Sequence, residues 1–533
     1  MRLLLKNGKI YQTRNNFTHA LYIENGVIVS TGQEAMKTEQ DLSPHEVEDL
    51  HGKTVVPGFN DAHLHFYQSG LSLSTVNLYD SSSVEEVIRR GTDYLSMQPE
   101  SSKPIVGRGF NQDHFTEKRL PDKRDLDKVT TDRPVIFTRT CSHLAVINSK
   151  ALDMLDLSNP LPEVSGGQID IGPDGKPNGI FRENAIRLLD SLLEKVTVES
   201  ILSHIRAAAD NALKEGLTSL QVNDIWLNTD DAQMMEEAYR RYTREDGSLR
   251  IYHQVHVEKT ETLRSRIESG WDKSESPYLR YGLLKMYADG SLGARTAFMR
   301  KPYADDPSTT GIPTMTEESL LEFIGIAEDN DIQTAIHVIG DGALERVLNC
   351  YEKLIKKGNP NRHGLIHVQI TDRPLLERIK KLNLMVYAQP IFLHNDMHIV
   401  EDRVGRDLAE TSYAFGSMEK MGIKVAYSTD APIEKFHVME NLHCAVNRQD
   451  LKNYPENGYY SDERVDRFTA MDNITINAAY MSFEEDRKGR ILPGCYADLV
   501  ILNEPYFDVD PSAIKDIKVE KTMISGRYRY IRR

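Results

Sequence analysis

VVPGFNDAHLHF, residues 55–66, ends an apolar run with two histidines, His63 and His65, set two positions apart. Alternate residues of a β-strand point to one face, so both imidazoles project to the same side, and this is how two ligands reach one metal ion. A lone histidine in a sheet is ordinarily a hydrogen-bonded core or surface residue. A same-face pair directly behind Pro57, Gly58 and Asp61 is less common, and it directs attention to further ligands elsewhere in the chain.

Similar β-rich runs recur downstream, separated by segments of helical period such as SILSHIRAAADNALKEG and ESLLEFIGIAEDN. Eight core strands are expected: VVPGFNDA, LTSLQVND, IYHQVHV, YGLLKMYADG, QTAIHVIG, HGLIHVQ, LMVYAQP and KVAYSTDAP. Alternation of this kind belongs to the α/β class, and eight parallel strands with helices outside close into a TIM-like (β/α)8 barrel. Far more residues than one βα unit needs lie between the first two strands. An insertion of about residues 68–195 is therefore expected, and loops of that size usually act as lids or substrate-binding pieces. Within it VNLYD is strand-like, and taken as a barrel strand it would shift the count by one.

The two ends differ from the middle. LLLKNGKIYQ and ALYIENGVIVSTG carry Asn-Gly turns between strand-like runs, and GRILPGCYADLVILNE and VEKTMISGRYRYI are short β-branched runs broken by Gly and Pro. Neither end is large enough for a core of its own, so residues 1–55 and 485–533 are expected to pair into a small β-sandwich around a barrel of residues 56–484.

Composition narrows the partners. The chain has 533 residues, 40% hydrophobic and 27% charged, which is the balance of a folded globular protein. Its 65 basic and 80 acidic residues give −15 with no long basic run, so nucleic acid is not an expected partner. MRLLLKNGKI has too short an apolar run for a signal peptide, and no stretch is apolar enough to span a membrane, so a cytoplasmic location is expected. Cys141, Cys350, Cys444 and Cys495 show no CxxC spacing, so any metal is held by N and O donors.

Active sites of such barrels gather at the C-terminal strand ends. The polar residues there are His63 and His65, Lys285 in LLKMYADGS, His337 in TAIHVIGD, His367 in LIHVQ and Asp430 in AYSTDAP. This series suits one or two divalent ions, with Zn, Mn and Fe all allowed. A lysine ammonium has no lone pair, but a buried, neutral Lys285 can take up carbon dioxide and become a carbamate that bridges two ions. Each member has a plainer use: Lys285 in a salt bridge to Asp289, His337 or His367 bonded to a carbonyl, Asp430 capping a helix. Their joint occurrence at successive strand ends favours the site.

With those residues in place, the sequence resembles the amidohydrolase superfamily, and within it the YtcJ-like group, amidohydrolase family 3, which includes N-substituted formamide deformylases. PGFNDAHLH is similar to the family's PGFxDxHxH, KMYADGSLGARTA to KxxxDGxLGxRTA, IHVIGDGA to HAIGDxA, STDAP to GSDxP and KGRILPGCYADLVIL to GxIxPGxxADLVxL. Within the insertion RGFNQDHF, LPDKRDLD, SHLAVINSKAL and PNGIFRENA match the group as well. Ile366 stands where many relatives have Glu, and Cys141 where many have Asp.

The resemblance implies metal roles for His63, His65, Lys285, His337, His367 and Asp430, with zinc the first choice of ion. It also implies metal-assisted hydrolysis of a C–N bond in a small molecule, of amide, N-formyl or cyclic amide type. Asp430 would carry the proton from water to the leaving amine. His143 and Arg295 are candidates for substrate contact, against surface packing for the first and a loop-bracing ion pair for the second. The alternatives are a mononuclear deaminase or esterase-like hydrolase of the same superfamily and a non-catalytic small-molecule sensor. A homodimer paired through outer helices is expected by analogy.

Overall fold

Strands buried on both faces are the physical requirement of a parallel barrel, and apolar runs satisfy it. The computed structural model describes the chain apart from residues 1, 38–45, 80, 99–100, 140–143, 156, 158–160, 163, 165–166, 194, 273 and 275. Eight strands lie side by side in chain order, all parallel: β1 (Phe59–Leu64), β2 (Leu217–Val222), β3 (Arg250–His256), β4 (Leu279–Tyr287), β5 (Thr334–Val338), β6 (Gly364–His367), β7 (Met385–Ala388) and β8 (Val425–Tyr427). Every residue of β1, β2, β3, β6 and β7 is buried.

Just past the strand ends β8 is joined to β1. The backbone N–H of Asp430 donates to the His63 carbonyl at 3.0 Å, and that of His65 donates to the Ala431 carbonyl at 2.7 Å. Asp61, fully buried, reinforces this seam by accepting from the Thr429 hydroxyl (2.6 Å), the Thr429 N–H (3.1 Å) and the His63 N–H (3.2 Å). Burial outweighs these bonds and pushes the Asp61 carboxyl up to about 7. The opposite end of the barrel is plugged by the helix Ile476–Met481. Its Ala478 and Met481 pack with Ala62, Tyr252, Leu283, Ala335, Ile366 and Tyr387, and its carbonyls accept from the Gln221 and Gln333 amides. Ile366 thus fills the apolar barrel interior.

The expected first strand is corrected in one respect. Thr54–Pro57 belongs to a different sheet from Phe59–Leu64, and the chain changes sheet at Gly58. A Cβ at Gly58 would stand 2.2 Å from the Thr218 hydroxyl, so the crossing point requires glycine.

Thr54–Pro57 lies in a sheet made from both chain ends, ordered Arg527–Ile531, Val519–Ile524, Leu499–Leu502, Thr54–Pro57, Arg2–Thr13, Asn16–Glu24 and Val27–Thr31, with Glu46–Asp49 also pairing Arg2–Thr13. Hydrogen bonds run through all eight strands, and the sheet folds back on itself where the Ile28 N–H donates to the Cys495 carbonyl at 2.9 Å, shortly before Leu499–Leu502. In this sheet the long strand Arg2–Thr13 pairs Glu46–Asp49 with its first half and Thr54–Pro57 with its second. Leu5, Ile10, Leu21, Ile23, Val55, Leu499 and Met523 form its core.

Residues 69–204 form a compact unit of their own. Its sheet is ordered Gly167–Ile171, Pro177–Glu183, Leu144–Ile147, Val135–Arg139, Ile105–Phe110 and Val76–Asn77, packed on the helix Val84–Met97 through Val84 and Val87. Val76–Asn77 pairs Ile105–Phe110, so VNLYD supplies no barrel strand. Among the described residues no helix is long and apolar enough to cross a membrane.

Candidate metal centre

The ends of β1, β4, β5, β6 and β8 bring His63, His65, Lys285, His337, His367 and Asp430 to one place. His63 Nε2 and His65 Nε2 each lie 3.4 Å from Asp430 Oδ1, and Lys285 Nζ lies 3.5 Å from His63 Nε2. The His63 and His367 rings are 6.0 Å apart and those of His337 and His367 4.5 Å. Ligand atoms of His63, His367 and Asp430 all fall within 4.8 Å of one another.

Backbone conformation aims these groups. His367 (φ 77°) and Asp430 (φ 55°) occupy the left-handed region, an unfavourable setting for residues with a Cβ and one that clusters at functional sites. It is held by hydrogen bonds on either side, from the Val368 N–H to Val338 (3.0 Å) and from the Asp430 N–H to His63.

Each imidazole is also oriented by an acceptor on its far nitrogen. The Gln254 amide donates through Nε2 to the Ala62 carbonyl, which leaves Oε1 to accept from His63 Nδ1–H at 2.6 Å. The Gln389 amide donates to the Tyr387 carbonyl and the Ser428 hydroxyl, so its Oε1 accepts from His367 Nδ1–H at 2.7 Å. The Asn223 carbonyl accepts from His65 Nδ1–H at 3.2 Å, and the Gly290 carbonyl from His337 Nε2–H at 2.9 Å. At His63 and His367 these bonds fix the tautomer in which Nε2 carries the lone pair, the form that can coordinate a cation. Replacing Gln389 by Leu frees the His367 ring and is expected to lower metal affinity about 10- to 100-fold, read by competition with a chromogenic chelator; unchanged affinity would remove Gln389 from that role.

Electrostatics favour the neutral imidazole at His63 and His367. Burial, with the Lys285 charge close by, holds His63 well below the ordinary imidazole range, and burial beside His337 and Lys285 does the same to His367. Burial also presses on His65, but the Asp430 carboxylate outweighs it and its pKa is raised. Lys285, with no exposed surface, is pushed down to about 7 by burial against the opposing pull of Asp430. Asp289 is not its partner, because that carboxylate accepts backbone N–H bonds from Phe298, Ile339 and Gly340 at 2.8 to 3.0 Å.

A cation fits this set. Asp430 Oδ1 is buried without a hydrogen-bond partner among the described residues, a costly state for a carboxylate oxygen unless a positive group completes it. Four imidazole nitrogens and one carboxylate oxygen are the donor types that zinc and its neighbours take.

The two expected substrate contacts fare differently. Arg295 is corrected to the loop-bracing reading: its guanidinium donates to both oxygens of Asp305, at 3.1 and 2.8 Å, and Arg403 shares that carboxylate. The two lie ten positions apart in one loop, close enough for the bidentate pair to form locally. His143 and Cys141 lie outside the described residues. Sequence reasoning passed over Asn223, Gln254 and Gln389, which stand at or near strand ends but whose uncharged amides do not mark them as partners of the imidazoles.

Comparisons with known proteins agree with this geometry. YtcJ of Bacillus subtilis (strain 168) is 30% identical over 535 residues, covering 99% of each chain. N-substituted formamide deformylase of Arthrobacter pascens is 25% identical over 544 residues, covering 100% of this chain and 98% of its own. The crystal structure of an uncharacterized metal-dependent hydrolase from Pyrococcus furiosus superimposes with a TM-score of 0.75 at 30% identity, covering 96% of this chain and all of the other. The model of the amidohydrolase family matches residues 46–530, and the chain belongs to that family.

Proposed function

We propose that the chain is a metal-dependent hydrolase that cleaves a C–N bond of a small molecule, of the amide, N-formyl or cyclic amide type. The observation that carries the reading is Asp430 Oδ1, buried without a hydrogen-bond partner among the described residues and faced at 3.4 Å by both His63 and His65 in a cluster with His337 and His367. When bound, a divalent ion supplies Lewis acidity, lowering the pKa of water from 15.7 toward about 7 and polarising a carbonyl oxygen. His63, His65, His337, His367 and Asp430 would hold it, with zinc the first choice for so many imidazoles.

Asp430 carries the proton. Its carboxylate takes one from the attacking water and returns it to the nitrogen of the leaving amine, so that acid and base are the same group in successive steps. Lys285 would be carbamylated: its neutral amine adds to carbon dioxide, one proton leaves, and two new oxygen donors face the cluster. The Arthrobacter relative's name, a deformylase of N-substituted formamides, supports the C–N choice.

A mononuclear centre is the second reading. It is favoured by His63, His367 and Asp430, which among the described residues make a three-ligand group by themselves. The test of the main reading is turnover of N-formyl and N-acyl amines by protein stripped with a chelator and then restored with Zn or Mn. Activity lost on stripping and regained on restoration is expected. Metal-restored protein that releases amine from none of these compounds would overturn the C–N assignment.

A further inference from the structure

Beside the ligands stands an aromatic wall that the hydrolytic chemistry leaves unused. Trp226 follows β2, His256 ends β3 and Tyr287 ends β4. Their rings are in mutual contact, with centroids 4.3 Å apart for Trp226 and His256, 5.6 Å for Trp226 and Tyr287 and 5.2 Å for His256 and Tyr287. The wall is continuous with the centre, since the Tyr287 ring lies 5.5 Å from that of His337 and 4.5 Å from Lys285 Nζ.

It is also rigid. The His256 N–H donates to the Ile225 carbonyl at 2.9 Å and the Leu227 N–H to the His256 carbonyl at 3.0 Å, so the segment bearing Trp226 continues the β2–β3 pairing past the strand end. The Trp226 carbonyl accepts from both the N–H and the hydroxyl of Thr229. His256 Nδ1–H donates to the Lys285 carbonyl at 3.0 Å, and the Tyr287 hydroxyl donates to the Asn223 side chain at 2.5 Å. His256 is thereby tied to β4, which bears Lys285 and the Tyr287 ring, and the Trp226 backbone is tied to His256.

His256 is buried, whereas Trp226 and Tyr287 are only partly so. Lys285 Nζ already stands over the Tyr287 ring, and the partly exposed Trp226 indole packs against both Tyr287 and His256. A large, rigid aromatic surface held next to reacting groups is a stacking platform for a flat partner, which gains both burial and ring–ring contact.

We propose that Trp226 is a specificity-determining residue whose indole stacks on a planar, unsaturated substituent of the substrate adjoining the scissile bond. The proposal deepens the C–N hydrolase reading and rests on it for the bond that is cleaved. Saturated rings of the same size bury similar area but lack the flat face, so discrimination between the two is the signature.

The chain has two tryptophans, Trp226 and Trp271, and Trp271 lies away from the ligand-bearing strand ends, its indole N–H donating to the Gly282 carbonyl in the first half of β4. In the Trp271→Phe protein all tryptophan fluorescence therefore reports on Trp226. Titration with an N-phenyl amide is expected to quench it saturably, and the N-cyclohexyl amide to quench it at least about tenfold more weakly. In parallel, Trp226→Leu should lower kcat/KM for the phenyl amide about tenfold, chiefly through KM, with less than about threefold change for the cyclohexyl amide. Equal losses for both amides, or absence of quenching by a phenyl amide that the protein hydrolyses, would overturn the role of Trp226 and leave the hydrolase reading intact. Selective quenching without turnover of either amide would support the stacking platform and count against the C–N assignment. Neither quenching nor turnover would overturn the platform.

Discussion

Asp430→Asn is expected to lower kcat by about 10²- to 10⁴-fold with little change in KM and no loss of fold. The substitution isolates chemistry from structure. Asparagine has the size and planarity of aspartate, and it is among the few residues that tolerate the left-handed backbone at this position, where φ is 55°. The seam between β8 and β1 depends at this residue on the backbone N–H donated to His63, which the change does not touch. What is lost is a proton acceptor: an amide cannot take a proton from water at neutral pH. Oδ1, which faces His63 and His65 at 3.4 Å, becomes a neutral carbonyl oxygen. Steady-state kinetics and circular dichroism on the metal-restored variant check this. A kcat within about threefold of the parent would remove Asp430 from proton transfer and move that duty to another group.

Much of this centre was legible in the sequence, for a physical reason. Parallel strands buried on both faces read as plain apolar runs, and functional residues must stand where such runs end, so His63, Lys285, His337, His367 and Asp430 were marked by position as well as by type. Other features were not. The break at Gly58 leaves no trace in VVPGFNDA, because a strand passing from one sheet to another stays apolar throughout, and only the Thr218 side chain against it shows why glycine is needed. Gln254 and Gln389 sit at strand ends too, yet an uncharged amide gives no sign of what it orients until the donors it makes elsewhere fix which atom faces the imidazole. Arg295 misled in the opposite direction. A guanidinium in a loop beside a barrel mouth invites a substrate role, and its partner Asp305 is one of many carboxylates until the loop closes on itself. Trp226 gave no periodic or motif signal; only the β2–β3 pairing that extends past the strands places it beside His256 and Tyr287.

Lys285→Ala tests whether the centre holds one ion or two. The lysine is suited to carbamylation in ways that an ordinary buried lysine is not. It has no exposed surface and, among the described residues, no carboxylate within ion-pair distance, and its amine lies 3.5 Å from the His63 nitrogen and over the face of Tyr287. Burial brings its pKa down to about 7, so near neutral pH a large share of the amine carries the lone pair that attack on carbon dioxide requires. Protein prepared in ¹³C-bicarbonate with Zn is therefore expected to hold about two ions per chain and to show a carbamate carbon resonance. The alanine variant should hold one or fewer, lack that resonance and lose at least about 10²-fold in kcat, because the oxygens that bridge the pair are gone. Adding a short carboxylate such as propionate should restore part of the second ion, since it can occupy the space vacated by the side chain and present the same two oxygens. One ion in both proteins, with the carbamate resonance absent from the parent, would establish the mononuclear centre of His63, His367 and Asp430, and would leave Lys285 as a buried amine that supports the Tyr287 ring instead of a ligand.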